Sequence, residues 1–227
     1  MVSYSFEDIE KLGKKFSESK IIGDTWLYGH ARDFYEILKS LELEEGNRVL
    51  YVGTGSGYGS YVISNLVSEV FSYEINKDEM KEAKENIRMV GGVNNINLII
   101  GDALSQPHKE GYFDRIIFAA AGPLEISKKE NQKIMKEDIK KDGLLNHLVK
   151  QAKIGGIIVL PMGKLHTRWG VECHGNSYRI RNLEDHLDIS IIDQEDSWTP
   201  LVGEYGFSEE EIKEKFSWKD TLYNDAL

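Results

Sequence analysis

The sequence has almost no cysteine and no long apolar run. Cys173 is the only cysteine among the 227 residues, so the chain cannot form an internal disulfide, and a thiolate-rich zinc site is disfavoured. No segment approaches the roughly 20 consecutive apolar residues of a membrane-spanning helix, and the first residues lack the basic and apolar regions of a signal peptide. We therefore expect a cytoplasmic protein with no bound metal and no membrane partner.

Positive charge is scarce as well. Lysine and arginine together number 28, against 38 aspartate and glutamate residues, and the formal net charge is −10. Proteins bind nucleic acid largely by neutralising phosphates with lysine and arginine, so an acidic chain is poorly suited to that partner. Hydrophobic residues make up 41% of the chain and charged residues 29%, which is typical of a globular protein. We expect no nucleic-acid partner.

Helical and strand-like segments alternate along most of the chain. Two amphipathic helices are predicted first, one beginning behind Ser5 and one over residues 31–41. From Arg48 onward, helices near residues 58–67 and 77–89 alternate with short apolar runs at residues 49–52, 70–75, 96–100, 115–119 and 156–160. This alternation indicates a doubly wound α/β fold built on a parallel sheet.

The pattern changes beyond Pro161. Apolar and polar residues now alternate, at residues 171–174, 178–181 and 188–192, which predicts an antiparallel edge. We expect one domain in three parts: an N-terminal helical segment (residues 1–45), a cofactor-binding core (46–163), and an antiparallel edge with a C-terminal extension (164–227).

Three glycines mark the turn between the first parallel strand and the next helix. They lie in Gly53-Thr54-Gly55-Ser56-Gly57, where a ligand can approach the backbone between a strand end and a helix N-terminus. The dinucleotide pattern G-x-G-x-x-G needs a third glycine where this chain has Tyr58, so the spacing argues against a nicotinamide cofactor.

Two carboxylates follow the next two strands. Glu74 lies 21 residues after Gly53, near the end of the second strand, where a carboxylate can accept hydrogen bonds from both hydroxyls of a ribose. Asp102 follows the third strand and is placed to accept a hydrogen bond from an adenine amino group. Each carboxylate alone would also fit an ordinary turn or cap. Their order and spacing together favour a site for one nucleoside-shaped ligand.

A resemblance to one family rests on six segments: residues 49–58, Tyr73-Glu74, Gly101-Asp102, residues 113–121, residues 155–163 and Pro200-Leu201-Val202-Gly203. They are similar to segments of the protein-L-isoaspartate O-methyltransferases, a branch of the class I S-adenosylmethionine methyltransferases. The resemblance implies a Rossmann-like, mostly parallel seven-stranded sheet with a reversed terminal hairpin. It implies that S-adenosylmethionine is bound by Gly53, Thr54, Gly55, Ser56, Gly57, Glu74, Ile75, Asp102, Ala103 and Ala120. The implied activity is methylation of an isoaspartyl-type carboxylate on a peptide or protein, as in protein repair.

The chain departs from the family on the substrate side. The family carries a Gly-His-Gly-Gln-Thr-x-Ser-like segment before the first strand; in an ungapped count its threonine falls on Leu27 and its serine on Gly29. The candidate catalytic residues nearby are Thr25 and Tyr28, as hydroxyls beside the acceptor, and His30, as a general base. The alternative interpretations are a loop of aromatic residues over the sheet and an ordinary histidine at a helix start.

Two further departures concern Tyr51 and a lysine-rich stretch. Tyr51 stands where many relatives have a carboxylate, although its hydroxyl can still donate a hydrogen bond. Between Pro123 and Gly155 the chain is longer than the family pattern by roughly 20 residues. We expect residues 127–141 to form a solvated helix extension that is dispensable for folding, with a charged lid or partner surface as the alternative.

Three functions stay open from the sequence. Carboxyl methylation is favoured, because an acceptor carboxylate with a pKa of about 3.9 is already ionised at neutral pH and needs no general base. A second interpretation keeps S-adenosylmethionine but uses another peptide or small-molecule acceptor, because residues 23–30 differ from the family. The third is a module that binds the cofactor without catalysis.

Overall fold

The computed structural model describes residues 4–19, 31–105, 108–123, 132–166, 172–198, 208 and 210–211. In these ranges the helices are α1 (Phe6–Ser19), α2 (Ala31–Ser40), α3 (Tyr58–Ser64), α4 (Lys77–Val90) and α5 (Leu144–Gln151), with a 3₁₀ helix at Lys136–Asp138. The strands are β1 (Arg48–Val52), β2 (Glu69–Glu74), β3 (Ile96–Ile100), β4 (Phe113–Phe118), β5 (Gly122–Pro123), β6 (Gln132–Met135), β7 (Ala152–His166), β8 (Glu172–Asn182) and β9 (His186–Trp198).

All of these strands belong to one sheet. Their order is β3-β2-β1-β4-β7-β8-β9-β6, and β5 pairs with β7 beside this path. The strands from β3 to β7 run parallel, whereas β8, β9 and β6 each pair antiparallel with their neighbours. The doubly wound α/β fold with an antiparallel C-terminal edge is therefore confirmed. The sheet has two strands more than the seven expected, because the short strands β5 and β6 join it.

Two apolar layers cover the faces of the parallel strands. In β1, Leu50 and Val52 belong to one layer, and Val49 and Tyr51 belong to the other. Side chains of α5 complete the first layer, and side chains of α1, α2, α3 and α4 complete the second. A parallel strand buried on both faces has a nearly continuous apolar sequence, which explains the runs seen in the sequence.

Side-chain caps set where α1 and α4 begin. The Ser5 hydroxyl accepts the backbone N–H of Asp8 at 3.2 Å, and the Asp8 carboxylate accepts the backbone N–H of Ser5 at 2.8 Å, which is a capping box. The Asn76 side chain accepts the backbone N–H groups of Asp78 and Glu79 at 2.9 and 3.4 Å. This second cap places the first turn of α4 immediately beside the carboxyl end of β2.

The lysine-rich stretch differs from the expectation. Residues 132–135 form β6, which pairs antiparallel with β9, and Ile139 is 9% exposed and packs in the same core layer as α5. The described part of this stretch is an edge strand and a short 3₁₀ helix, so the expected solvated helix extension was wrong. Deletion of residues 127–141 removes a strand and a core side chain, and we therefore expect it to destabilise the fold.

The core and the antiparallel edge form one continuous sheet. The boundary expected at residue 163 falls inside β7, and the pairing of β7 with β8 extends from Ile157 to His166. Among the helices that the structure describes, none has the length and apolar character needed to cross a membrane.

Candidate functional site

The glycine turn after β1 is held by β2. The backbone N–H groups of Gly53 and Thr54 both donate to the carbonyl of Tyr73, at 2.9 and 3.0 Å. Gly53 and Gly55 have φ angles of +91° and +51°, in the left-handed region that glycine adopts at little cost. The turn therefore depends on glycine for its shape and on β2 for its position.

Three of the residues predicted to contact the ligand instead stabilise the glycine turn. None of the three lines the cavity that lies beside this turn. Thr54 is 3% exposed, and its hydroxyl forms a 2.7 Å hydrogen bond with the hydroxyl of Ser72. The carbonyl of Ser56 accepts a 2.9 Å hydrogen bond from the side chain of Asn86 on α4. Gly57 has φ +90°, and a Cβ there would lie 3.1 Å from an α4 side chain. These residues join the turn to β2 and α4.

Glu74, the last residue of β2, lies at the centre of the site. It is 7% exposed; its Oε2 accepts the backbone N–H of Gly55 at 3.0 Å, and its Oε1 accepts the backbone N–H of Asn76, also at 3.0 Å. Each oxygen of a carboxylate can accept more than one hydrogen bond. The two backbone contacts therefore fix the carboxylate while leaving acceptor capacity on both oxygens.

The loop after β3 brings Asp102 to the same edge of the sheet. The backbone N–H of Gly101 donates to the carbonyl of Glu74 at 2.9 Å, and Asp102 Oδ1 accepts the backbone N–H of Leu104 at 2.8 Å. Ala103 and Leu104 are 1% and 2% exposed. The loop is therefore fixed both to β2 and to the core, with Asp102 at its start.

A cavity of about 320 Å³ lies between the glycine turn, the end of β2 and this loop, a volume within the range of small-molecule sites. Seven of the ten residues predicted to bind the cofactor line it: Gly53, Gly55, Glu74, Ile75, Asp102, Ala103 and Ala120. The other lining residues are Val52, Tyr73, Asn76, Glu79, Gly101 and Ala119.

The cavity combines acidic and apolar groups. Glu74, Glu79 and Asp102 supply three carboxylates, and no lysine, arginine or histidine occurs among the described residues that line it. Ile75 is 53% exposed although it is apolar, and the partly exposed Ala119 and Ala120 provide further apolar surface. Like charges repel, so such a cavity disfavours phosphate groups and favours a neutral or cationic ligand with a hydrophobic face.

Sequence reasoning missed Asn76 and Glu79. Both line the cavity because the cap of α4 follows Glu74 directly. Burial raises the pKa of Glu79 above its usual value, and the nearby charges of Glu74 and Glu82 raise it further. The Asn-x-x-Glu spacing over residues 76–79 is a recognisable helix start and was the signal that could have placed both residues at this edge.

The candidate catalytic residues Thr25, Tyr28 and His30 lie outside the described residues. Tyr51 is described, but it does not line the cavity. It is 6% exposed in the layer formed with α1, α2, α3 and α4, and its hydroxyl lies against Gly59 of α3. Burial, followed by the charges of Tyr58 and Glu74, raises the pKa of Tyr51, so the phenol stays neutral inside the core.

Comparison with known proteins gives a consistent family. The family model for protein-L-isoaspartate(D-aspartate) O-methyltransferase matches residues 27–136. The protein-L-isoaspartate O-methyltransferase of Pyrococcus abyssi is 30% identical over 179 residues, which cover 76% of this chain and 68% of that protein. The enzyme of the same name from Petrotoga mobilis is 32% identical over 173 residues, covering 75% of this chain and 68% of the relative.

A solved structure of a protein-L-isoaspartate O-methyltransferase has the same fold. It aligns with a TM-score of 0.61 at 16% sequence identity, covering 88% of this chain and 66% of the other. At that identity the likeness concerns the fold alone. The sequence relatives at 30% and 32% identity, matched over two thirds of their length, go further: this chain belongs to the protein-L-isoaspartate O-methyltransferase family.

Proposed function

We propose that the chain transfers a methyl group from S-adenosylmethionine to an isoaspartyl-type carboxylate of a peptide or protein. The acceptor follows from the family to which the chain belongs, and the observation that carries the donor half of this proposal is the setting of Glu74. Its two oxygens are fixed by the backbone N–H groups of Gly55 and Asn76, beside a glycine turn. At the carboxyl edge of a parallel sheet, such a carboxylate suits a ribose whose two hydroxyls donate to it.

The residues of the cavity fit the proposed donor. Glu74 would accept from the ribose hydroxyls and Asp102 from the adenine amino group, and the exposed Ile75 offers apolar surface to the base. S-adenosylmethionine carries a positive sulfur and no phosphate, so the acidic lining attracts it. The same lining opposes the pyrophosphate of a dinucleotide, which agrees with the absence of G-x-G-x-x-G spacing.

When bound, the donor would supply a methyl group on a positively charged sulfur. The carboxylate oxygen would form a bond to the methyl carbon as the C–S bond breaks, and the electron pair of the C–S bond would stay on sulfur. The products would be a methyl ester and a thioether. No proton moves, so the chain needs no general base for this acceptor. Its contribution is alignment of the reacting groups, which can supply several kcal/mol of the barrier. The fixed Glu74 and glycine turn provide the donor half of that alignment.

The proposed acceptor side lies in residues 23–30. Thr25 and Tyr28 would hold the acceptor carboxylate by hydrogen bonds in place of the family hydroxyls, which are replaced by Leu27 and Gly29. His30 would act as a base only for an acceptor that must lose a proton. The replacement of both hydroxyls supports a second candidate function: the same donor with a different peptide or small-molecule acceptor.

Transfer from labelled S-adenosylmethionine to two peptides tests the proposal. The peptides share one sequence and differ only in an isoaspartyl or an ordinary aspartyl linkage. We expect base-labile label in the isoaspartyl peptide alone. Tight donor binding without transfer to either peptide would overturn the proposal. Two interpretations would then remain. One is transfer to a different acceptor, which incorporation of label into cell extract would test, and the other is binding of the donor without catalysis.

The double substitution Leu27→Thr and Gly29→Ser separates the first two candidates. A restored hydroxyl pair that strengthens contacts in the transition state by roughly 1–3 kcal/mol raises the rate on the isoaspartyl peptide about fivefold to 150-fold. Thermal melting of the variant is the control, because Gly29 can adopt backbone conformations closed to serine. A folded, donor-binding double variant with no gain would favour a different acceptor.

A further inference from the structure

A side-chain pair made of a buried tyrosine and a half-buried histidine lies beside the donor cavity. The hydroxyl of Tyr73, a lining residue, forms a 2.6 Å hydrogen bond with Nε2 of His108. Tyr73 is 3% exposed, and burial lowers the pKa of His108 below its usual value. The neutral imidazole is therefore favoured, and its Nε2 can accept the proton of the Tyr73 hydroxyl.

Aromatic side chains surround the histidine ring. It packs edge-to-face on Phe71 and Phe113, with ring centroids 5.3 and 4.8 Å apart, and stacks on Tyr112 at 5.8 Å. The guanidinium of Arg48 lies 4.5 Å from the centre of the Tyr112 ring. Edge-to-face and stacked rings hold defined orientations, so His108 has a fixed position over β2 and the start of β4.

Tyr73 links this cluster to two parts of the donor site. Its carbonyl accepts the backbone N–H groups of Gly53 and Thr54, and the next residue along β2 is Glu74. His108 follows Asp102 by six residues in the sequence, and both belong to the segment of chain between β3 and β4. One side-chain hydrogen bond therefore connects the strand that fixes the glycine turn and Glu74 with the loop that carries Asp102.

We infer that His108 is a positioning residue of the donor site, which acts through Tyr73 to hold the Asp102 loop in register with Glu74 and the glycine turn. This inference rests on the proposed function, because it concerns affinity for the adenosyl part of the donor. His108 itself does not line the cavity. Its effect therefore reaches the ligand through Tyr73 and through the relative placement of the two carboxylates.

A double-mutant cycle measures this coupling directly. The parent, Tyr73→Phe, His108→Leu and the double variant are titrated with S-adenosylhomocysteine and with 5′-methylthioadenosine, which keeps the adenosyl group but lacks the amino acid. Each single substitution is expected to weaken both ligands about fivefold to tenfold, and the double variant no more than either single variant, because one hydrogen bond is lost in all three. The donor KM should rise by the same factor with kcat unchanged.

Two variants separate positioning from general stability. His108→Gln places an amide oxygen near the position of Nε2 and should restore most of the affinity. Tyr112→Phe alters the same aromatic cluster without touching the Tyr73–His108 bond and should change affinity less than twofold. Titrations are done well below each melting temperature, and if His108→Leu does not fold, Tyr73→Phe and His108→Gln still decide the question.

Independent effects of the two substitutions, or unchanged affinity in Tyr73→Phe, would overturn the inference. So would a fall in kcat at unchanged KM. Failure of the parent to bind S-adenosylhomocysteine would contradict the proposed function instead, so the two failures are distinguishable.

Discussion

The two ends of the parallel strands handle charge in opposite ways. At the carboxyl end, Glu74, Glu79 and Asp102 line a cavity without a lysine, arginine or histidine among its described lining residues. Towards the amino end, Arg179 and Arg181 of β8 both bind the carboxylate of Glu42, just after α2. One end keeps acceptors directed at a cavity, whereas the other end pairs its charges internally.

The internally paired end anchors α2 to the sheet. Glu42 has φ +49°, a left-handed conformation that is uncommon outside glycine. Arg115 of β4 donates to the carbonyl of Glu42 at 2.7 Å, and Arg179 donates to the carbonyl of Ser40, also at 2.7 Å. These arginines satisfy carbonyls at the C-terminus of α2, where positive charge is favourable. We infer that this end supports folding and the carboxyl end supports binding.

The largest expected effect is on binding, through Glu74→Ala. Removing the proposed acceptor of two ribose hydroxyls should weaken the binding of S-adenosylhomocysteine by about 1–3 kcal/mol, roughly fivefold to 150-fold in Kd. Calorimetric titration measures this change. Glu74→Gln keeps an acceptor but loses the charge, and its Kd should lie between those of the parent and the alanine variant.

The matched control for Glu74 lies on the same strand. Glu69 begins β2 and accepts a 2.9 Å hydrogen bond from Asn97 at the exposed edge of the sheet. Glu69→Ala removes the same charge away from the cavity and should leave Kd unchanged. Equal losses in the two variants would mean that net charge, and not a contact with the ribose, governs binding.

The converse effect is expected from Glu42→Ala, which should lower stability without altering ligand affinity. The Glu42 side chain is 34% exposed, so solvent screening limits the loss to about 1 kcal/mol. Alanine keeps the same unfavourable backbone angle, so the change reports on the arginine contacts. Urea unfolding measures the loss, and Glu36→Ala, at an exposed α2 residue paired with Lys39, is the control. A changed Kd for S-adenosylhomocysteine would break the division between the two ends.

Lowering the pH should remove the contribution of the Glu42 carboxylate to the free energy of unfolding. Burial alone would raise the pKa of Glu42, but the hydrogen bond from Arg181 and the charges of Arg179, Arg181 and Arg115 together hold it below its usual value. The Glu42 carboxylate therefore takes up a proton less readily in the folded chain than in the unfolded chain. Its stabilisation of the fold is complete above the ordinary glutamate pKa of about 4.3. The stability difference between parent and Glu42→Ala should shrink as the pH falls through the lowered pKa.

The sequence predicted the lining of the cavity where the position of a residue follows from strand order. Gly53, Glu74 and Asp102 each lie at or just after the carboxyl end of an apolar strand, and parallel strands bring such positions together whatever the side chains around them. Glu79 escaped prediction because it belongs to the first turn of α4. The direction of that turn is set by the Asn76 cap, which apolar periodicity does not record.

The structure of the lysine-rich stretch, residues 127–141, could not be predicted from the sequence. Lys133 and Lys136 suggested a solvated helix, whereas Ile134 packs against the core from an edge strand. In the sheet, Ile134 pairs with Leu187 of β9, a residue far along the chain. A four-residue strand with a distant partner has no local signal strong enough to outweigh its charges.

The smallest expected effect concerns the choice between donor and product at the acidic end. Glu79→Gln removes one negative charge from the cavity lining, and only the donor carries the positive sulfur. A screened charge several ångström away contributes about 0.4 kcal/mol, so the preference for S-adenosylmethionine over S-adenosylhomocysteine should fall about twofold.

The comparison is made at pH 8, because the raised pKa of Glu79 means that acid would neutralise the parent as well. Glu85→Gln, on the exposed side of α4 and paired with Arg88, should leave the ratio unchanged. Equal weakening of both ligands by Glu79→Gln would assign Glu79 to hydrogen bonding within the α4 cap, and the acidic lining would then rest on Glu74 and Asp102 alone.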